Sequence, residues 1–266
     1  RHTLLPEHKF IKGQPDTGVK LADDLELIAN KFEGEIAACI IEPIAGSTGI
    51  LVPPKGYLNR LRKICDKHGI LLIFDEVITG WGRTGSPFAA QEFNVTPDIM
   101  TLAKATTNGV VPMGVVAVRD GIYDTVIDSA PEGAIELFHG YTYSGIPAAV
   151  AAALAVQDIF EKENIFNKVK ELSPYFQEAL HSLRDMECVE NIRGYGLLGG
   201  IDIKKKDRPG KAGFQVYKTC YENGVNLKAT GDALVLAPPF IAEKKHIDEI
   251  FDKIRKSIIQ YVKQDK

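Results

Sequence analysis

The sequence predicts an α/β fold with a smaller α+β domain after it, and two observations carry this prediction. Between residues 36 and 119, short apolar runs alternate with an amphipathic segment, and runs that are apolar on both faces are typical of parallel strands covered on both sides. After Ile146 the pattern changes to long helical stretches around further strand candidates. We therefore expect a large domain over residues 1–160 and a small C-terminal domain over residues 161–266.

The elements of the large domain follow from its apolar runs. A helix is predicted near residues 56–68, because Leu58, Leu61, Ile64 and Cys65 share one side of it. The predicted strands cover residues 36–44, 70–77, 99–104 and 113–119.

The small domain is entered through an Ala-rich helix over residues 148–160. A helical stripe then runs from Ile165 to Leu183, with a kink or a restart expected at Ser173-Pro174 because proline cannot donate to the helix. Strands are predicted at 197–203 and 233–237, and a last amphipathic helix at 247–262.

Composition excludes several classes of protein. With 266 residues, 45% hydrophobic and 25% charged, and a formal net charge of −3, the chain has no basic or acidic block that would favour nucleic acid or an anionic membrane as partner. The four cysteines form no CxxC pair and no metal site is predicted, so we expect buried thiols in a reducing, cytoplasmic compartment.

One glycine pattern is misleading. Gly194, Gly196 and Gly199 spell GxGxxG, but the glycines run into an alternating strand, whereas a dinucleotide-binding turn opens a helix. A turn that leads into a strand is the better interpretation, and a nicotinamide-dependent dehydrogenase is disfavoured.

Two polar residues end neighbouring apolar runs. Asp75 follows a buried run, at the edge where open α/β sheets bind ligands, although a capping or salt-bridged carboxylate is also compatible with that position. Lys104 ends the next run, where partial desolvation would favour the neutral, nucleophilic amine, although a surface lysine is the alternative. A lysine and a buried carboxylate together suit pyridoxal phosphate (PLP), whose aldehyde needs the amine and whose ring nitrogen needs the acid.

Four sequence segments narrow this interpretation from PLP-binding proteins in general to one family. They are IIEPIAGSTG at 40–49, LLIFDEVITGWGRTG at 71–85, PDIMTLAKATTNGVVPMG at 97–114 and HGYTYSGIPAA at 139–149. In order and spacing they resemble the class III (omega) aminotransferases of fold type I, especially the omega-amino acid:pyruvate aminotransferases. The resemblance implies a large, mostly parallel-sheet domain that binds PLP, followed by a small α+β domain.

The resemblance also implies roles for individual residues. Lys104 matches the catalytic lysine that forms the Schiff base with PLP, and Asp75 matches the partner of the pyridine nitrogen. Val77 matches the apolar residue on one ring face, and Ile78 the position beside the ring hydroxyl. Glu42 matches a carboxylate of structural role.

Two further matches imply an assembly of subunits. Thr142, with the backbone around Tyr141, matches the segment that reaches the cofactor phosphate of a neighbouring subunit. The resemblance therefore implies a homodimer or a dimer of dimers with shared active sites. The expected reaction moves an amino group from an ω-amino acid or other amine to a keto acid such as pyruvate.

The sequence departs from the family at two places. Lys228 stands where many relatives have an arginine that clamps the substrate carboxylate, so that carboxylate binding is weaker or lies elsewhere, and the donor is an ω-amino acid, a diamine or an uncharged amine. The family's N-terminal part, with its phosphate-binding turn and ring-stacking aromatic residue, has no match here, and the chain lacks an initial Met. We expect a fragment or one piece of a divided polypeptide.

Three alternatives stay open at this point. A PLP-dependent aminomutase or decarboxylase of the same fold is one, although the segment after Lys104 resembles the aminotransferases. A non-catalytic remnant that lost half of the cofactor site is another, and an inactive isolated fragment is the third.

Overall fold

A computed structural model describes residues 2–205 and 207–264. The chain forms two four-stranded sheets, with strand orders β1-β2-β3-β4 and β5-β6-β8-β7. The elements are, in order, α1 (Asp23–Lys31), β1 (Ala38–Ile41), α2 (Tyr57–His68), β2 (Leu71–Asp75), α3 (Ala89–Glu92), β3 (Ile99–Leu102), β4 (Val115–Val118), α4 (Asp120–Asp128), α5 (Pro147–Lys162), α6 (Ile165–His181), β5 (Val189–Tyr195), β6 (Leu198–Ile203), α7 (Lys211–Glu222), β7 (Lys228–Thr230), β8 (Ala233–Leu236) and α8 (Lys244–Gln264).

The first sheet has three parallel strands and one antiparallel edge. β1, β2 and β3 run parallel, and β4 pairs antiparallel with β3. The connection from β3 to β4 contains only a 3₁₀ turn, Lys104–Thr106, which is too short for the helical crossover that a parallel partner requires. A mostly parallel sheet is therefore confirmed, with an antiparallel fourth strand.

The two faces of this sheet differ. Leu58, Leu61, Ile64 and Cys65 of α2 pack with the alternate residues of β2 in one buried cluster. On the opposite face, Ile40, Val116 and Val118 are exposed, so the prediction that both faces are covered is wrong for the residues that the structure describes. The alternation of the strands leaves these side chains pointing away from α2.

The second sheet is packed on the three long helices α6, α7 and α8. Their buried residues form one core, in which Val169, Phe176, Val216, Ile254 and Ile258 are nearly or fully inaccessible.

Pro174 neither ends nor restarts helix α6. The helix continues through it, so the restart that we considered does not occur. The apolar stripe on both sides of the proline is buried in the core, and this packing offsets the missing backbone hydrogen bond.

The glycine-rich turn joins two antiparallel strands. Tyr195 pairs with Leu198 across it, and Gly196 has a φ of 57°. A side chain at Gly196 would lie 2.4 Å from the carbonyl oxygen of Arg83, which explains the glycine. The predicted turn into a strand is confirmed, and the structure adds the preceding strand β5, which was not predicted.

Contacts between the sheets shape the cavity described below. Arg193 of β5 donates from Nε to the Gly49 carbonyl, over 2.7 Å, and its guanidinium pairs with Asp202 of β6. Phe160, near the end of α5, packs in the core of the second sheet. The boundary between residues 160 and 161, which falls within α5, stays a prediction.

Candidate active site

Segments from both sheets line one cavity of about 620 Å³, within the range of roughly 300–1,000 Å³ typical of ligand sites. The predicted site residues Val77, Ile78, Lys104 and Lys228 all lie in its wall. The remainder of the wall is mainly apolar and includes Ile50, Val156, Phe160, Leu198, Val235 and Phe240.

Lys104 begins the 3₁₀ turn and is separated from the end of β3 by Ala103 alone. Its φ of 47° lies in the left-handed region, which is strained for a residue with a side chain. Trp81 Nε1 donates to Thr106 Oγ1 over 2.9 Å, and that hydroxyl donates to the Ala103 carbonyl over 3.0 Å. These two hydrogen bonds of the Thr106 hydroxyl fix the conformation of the 3₁₀ turn.

The amine of Lys104 is not desolvated in this structure. Lys104 is exposed, as are Asn108 and Gly109 beside it at the edge of the cavity. The expectation of a partly desolvated lysine is therefore wrong for the described residues.

Asp75 ends β2, next to the strand that leads to Lys104. It lies opposite Thr101 of β3, on the face turned away from α2. The carboxylate is half-buried, and Oδ1 accepts a hydrogen bond of 3.0 Å from the Val77 backbone nitrogen. Asp75 does not line the cavity. Val77, two residues further along the chain, does line it.

Glu76 fixes the loop that carries Val77 and Ile78. Its fully buried carboxylate accepts hydrogen bonds from the backbone nitrogens of Ala89 and Ala90, both 2.7 Å, and from the Thr79 hydroxyl at 2.9 Å. Burial raises the pKa of Glu76, and the three donors oppose that rise. Sequence reasoning did not single out Glu76, although its place between Asp75 and Val77 was a signal.

A second loop completes the inner wall. Glu42 Oε2 accepts a hydrogen bond of 2.9 Å from the Gly46 nitrogen, in keeping with the structural role that the resemblance implies. A Cβ atom at Gly46 would lie 2.4 Å from Ile78 Cδ1, so only glycine allows Ile78 its position in the wall.

Arg83 is a third cation in the cavity wall that sequence reasoning missed. Its Nη1 donates to the Pro238 carbonyl over 2.5 Å, and the guanidinium carbon lies 4.2 Å from the ring centre of Phe240. Burial lowers the pKa of Arg83 to about 10. Its place as the single arginine in the glycine-rich stretch 80–85 was the feature of the sequence that could have identified it.

Lys228 lies in β7, paired with Val235 of β8, and it is exposed although it lines the cavity. Nearby, Asp232 accepts hydrogen bonds from the Gly210 and Gly213 nitrogens, over 2.9 and 3.1 Å. Asp232 thus stabilises the start of α7. Lys228 is the charged residue of strands β7 and β8 that lines the cavity.

The structure does not bring Tyr141 and Thr142 to the cavity. Both are exposed, Tyr141 to 79%, and the Tyr141 nitrogen donates to the hydroxyl of nearby Ser144 over 3.0 Å. This arrangement is compatible with residues that act on another subunit.

The cavity suits PLP in three respects. It offers an accessible amine at Lys104, apolar side chains at Val77 and Ile78, and a carboxylate at the adjacent strand end. In the described part of the chain, no group of His, Cys, Asp or Glu residues could hold a metal ion. No helix there combines the length and the apolar character that crossing a membrane demands.

The fold and this cavity are similar to those of the PLP-dependent transferases of fold type I. The chain belongs to the class III aminotransferase family, whose model matches residues 3–258. It is 50% identical to an omega-aminotransferase of Caulobacter vibrioides and 45% identical to an omega-amino acid–pyruvate aminotransferase of Pseudomonas putida, over 96% and 95% of this chain. A transaminase solved with L-alanine superimposes with a TM-score of 0.89 at 31% identity, over 93% of this chain and 60% of that one.

The chain spans 58% and 57% of the length of these two curated relatives. The family is PLP-dependent, and its members include the omega-aminotransferases that the sequence resembles.

Proposed function

We propose that the protein is a PLP-dependent aminotransferase that moves an amino group from an ω-amino acid or amine donor to a keto acid such as pyruvate. One observation carries the proposal: Lys104 lies in the same cavity wall as Val77 and Ile78, one strand away from the carboxylate of Asp75. The similarity to omega-aminotransferases and to an omega-amino acid–pyruvate aminotransferase supports the choice of substrates.

Four residues of the chain have distinct roles in the proposed reaction. Lys104 would hold the cofactor through its amine, which is the nucleophile in the wall, and the same amine would carry the proton to and from the reacting carbon of the substrate. Bound PLP supplies a ring that withdraws electrons from that carbon. Asp75 would keep the ring nitrogen protonated, and Val77 and Ile78 would hold the ring through one face and beside its hydroxyl, as the resemblance to the family implies.

The remaining residues act on the substrate and on a second subunit. Lys228 attracts the substrate carboxylate into the cavity as a point charge. Tyr141 and Thr142 contact the cofactor phosphate of a partner in a homodimer or a dimer of dimers, and their exposure supports this role. We place the enzyme in the cytoplasm, because four scattered cysteines without a CxxC pair are typical of a reducing compartment.

Borohydride trapping with peptide mapping tests the proposal. The protein is incubated with PLP, and the absorbance band of the Schiff base is recorded before the protein is reduced and digested. We expect the label on Lys104. Lys104→Ala should lose the band and at least about 10³-fold of the transamination rate, because it loses both the anchor and a proton-transfer group. Asp75→Asn should also abolish turnover.

Lys168→Ala is the matched control, since Lys168 is an exposed lysine paired only with Glu163. Labelling spread over surface lysines, or near-parental turnover in a cofactor-loaded Lys104→Ala protein, contradicts the proposal. Turnover without any keto acid acceptor contradicts the aminotransferase assignment specifically.

A further inference from the structure

Two of the four cysteines meet between β1 and α2. Cys39 lies in β1, opposite Leu72 of β2, and it packs against the buried cluster that contains both Leu72 and Cys65. Ile40, the next residue along the strand, is exposed on the other face of the sheet. Since side chains alternate along a strand, Cys39 points towards α2, and Cys65 lies on the buried side of that helix. The fold therefore joins two thiols that are far apart in the sequence.

The two thiols contact each other but differ in exposure. They are hydrogen-bonded to each other, and both are free cysteines in the structure. Cys65 is fully buried, whereas Cys39 is only partly buried. A small molecule from the solvent therefore reaches Cys39 first and finds Cys65 next to it.

The same contact makes the two thiols chemically unequal. The hydrogen bond from Cys65 lowers the pKa of the Cys39 thiol to about 7, and burial opposes that shift. The contact with Cys39, together with burial, raises the pKa of Cys65. Because the thiolate is the reactive form of cysteine, Cys39 is the nucleophile of the pair. Burial raises the pKa of Cys220, which lies in the core of the second sheet, and makes it less reactive.

We propose that Cys39 and Cys65 form a redox modification site, at which a peroxide converts the pair to a disulfide within the chain. The Cys39 thiolate attacks one oxygen of hydrogen peroxide, the O–O bond breaks, and hydroxide leaves while Cys39 becomes a sulfenic acid. The sulfur of Cys65 then attacks the sulfur of Cys39, the S–O bond breaks, and the Cys65 proton leaves with the hydroxyl group as water. The two sulfurs lose two electrons, which the peroxide gains.

In this site Cys65 protects Cys39 from permanent damage. A sulfenic acid without a neighbouring thiol is oxidised further to sulfinic and sulfonic acids, which thiols do not reduce. A disulfide, by contrast, is reversed by thiol exchange, the chemistry that a reducing compartment supplies. Both cysteines lie outside the four segments that resemble the aminotransferases, and the site uses neither PLP nor substrate, so it goes beyond the proposed function.

Peptide mapping of the PLP-loaded protein after treatment with hydrogen peroxide tests the site. Remaining thiols are alkylated in denaturant, and the protein is digested with trypsin without reduction. We expect residues 32–55 linked to residues 64–67, with a mass lower than that of the two peptides by two hydrogen atoms. The four alkylated cysteines of the untreated protein should fall to two, and dithiothreitol should restore all four.

Two variants separate the roles of the two cysteines. In Cys65→Ala, Cys39 should accumulate as sulfinic or sulfonic acid at least about 10-fold more than in the parent, and dithiothreitol should not recover it. In Cys39→Ala, Cys65 should stay a thiol. Cys220→Ala is the control, because Cys220 is as buried as Cys65 but lies in the other core, and it should form the disulfide as the parent does.

Three results would overturn the proposal: thiols that stay unchanged in the treated parent, links to Cys188 or Cys220 or between chains, and equal loss of Cys39 to sulfinic acid with and without Cys65. Thermal unfolding verifies that each variant is folded, and the mapping of the parent decides the matter even if one variant does not fold. Turnover is not measured in this experiment, so its failure is distinct from a failure of the proposed function.

Discussion

The loop of residues 76–88 and the segment of residues 131–146 both carry predicted site residues, but they are held in different ways. In the loop, Glu76 accepts three hydrogen bonds, and Trp81 contacts the rings of Phe88 and Phe160. In the segment, the hydrogen bonds are local, and the large side chains are exposed: Phe138 to 91% and Tyr141 to 79%.

The difference shows which half of the site this chain builds by itself. The loop is held by the buried Glu76 carboxylate and the three groups that donate to it. The positions of Val77 and Ile78 therefore depend on contacts within this chain. The exposed apolar side chains of the segment have few contacts within the described chain, and in the proposed assembly the partner subunit would bury them and fix Tyr141 and Thr142. Three changes separate the two regions by their effect on the free energy of unfolding.

The largest effect is expected for Glu76→Ala. The change leaves the backbone nitrogens of Ala89 and Ala90 buried without their acceptor, and each such donor costs roughly 1–3 kcal/mol. We expect the free energy of unfolding to fall by about 3 kcal/mol or more, measured by urea denaturation.

Glu171→Ala is the control, because Glu171 is an exposed glutamate on α6. A Glu76→Ala protein no less stable than this control would contradict the view that Glu76 anchors the loop. Glu76→Gln keeps an acceptor and should lie between the two.

The same comparison explains what the sequence could predict. The strands β1 to β4 and the helices α2, α5, α6 and α8 follow from local apolar periodicity, and Asp75 and Lys104 follow from the ends of such runs. Helix α7 escaped prediction because several of its buried residues, such as Ala212 and Cys220, are small and give a weak stripe.

The contacts that fix the cavity could not be predicted, because they join residues far apart in sequence. Arg193 reaches Gly49 across 144 positions, and Arg83 reaches Pro238 across 155. The motif predicts which residues react, whereas the groups that hold those residues in place depend on the packed fold.

A smaller effect is expected for Trp81→Phe. Phenylalanine retains an aromatic ring for the contacts with Phe88 and Phe160 but loses the hydrogen bond to Thr106 Oγ1, which is worth about 1 kcal/mol. The turn at Lys104 should loosen, so we expect slower Schiff-base formation with PLP as well as a loss of about 1 kcal/mol in unfolding.

A double-mutant cycle with Thr106→Val checks this hydrogen bond. If the bond holds the turn, the two changes together cost less than the sum of the single changes. Additive losses, with parental rates of Schiff-base formation, would show that Trp81 contributes through packing alone.

The smallest effect on unfolding is expected for Thr142→Ala. Thr142 is exposed, and surface changes of this kind usually lie within about 0.5 kcal/mol. The expected consequence is on cofactor binding: the dissociation constant of PLP should rise roughly 10-fold in the assembled enzyme, because the hydrogen bond that we propose from the Thr142 hydroxyl to the phosphate of a partner subunit would be lost.

Thr125→Ala is the matched control for this last change. Thr125 is also exposed, and its hydroxyl donates to the Gly121 carbonyl within α4, so its loss should alter neither unfolding nor cofactor affinity. Thr142→Ala should weaken PLP binding only at protein concentrations where subunits associate, since the hydroxyl acts on a partner. If affinity falls equally in dissociated subunits, Thr142 acts within its own chain. If Thr142→Ala lowers the free energy of unfolding by about 2 kcal/mol, the segment of residues 131–146 is anchored as firmly as the loop of residues 76–88. The contrast between the two regions would then be wrong.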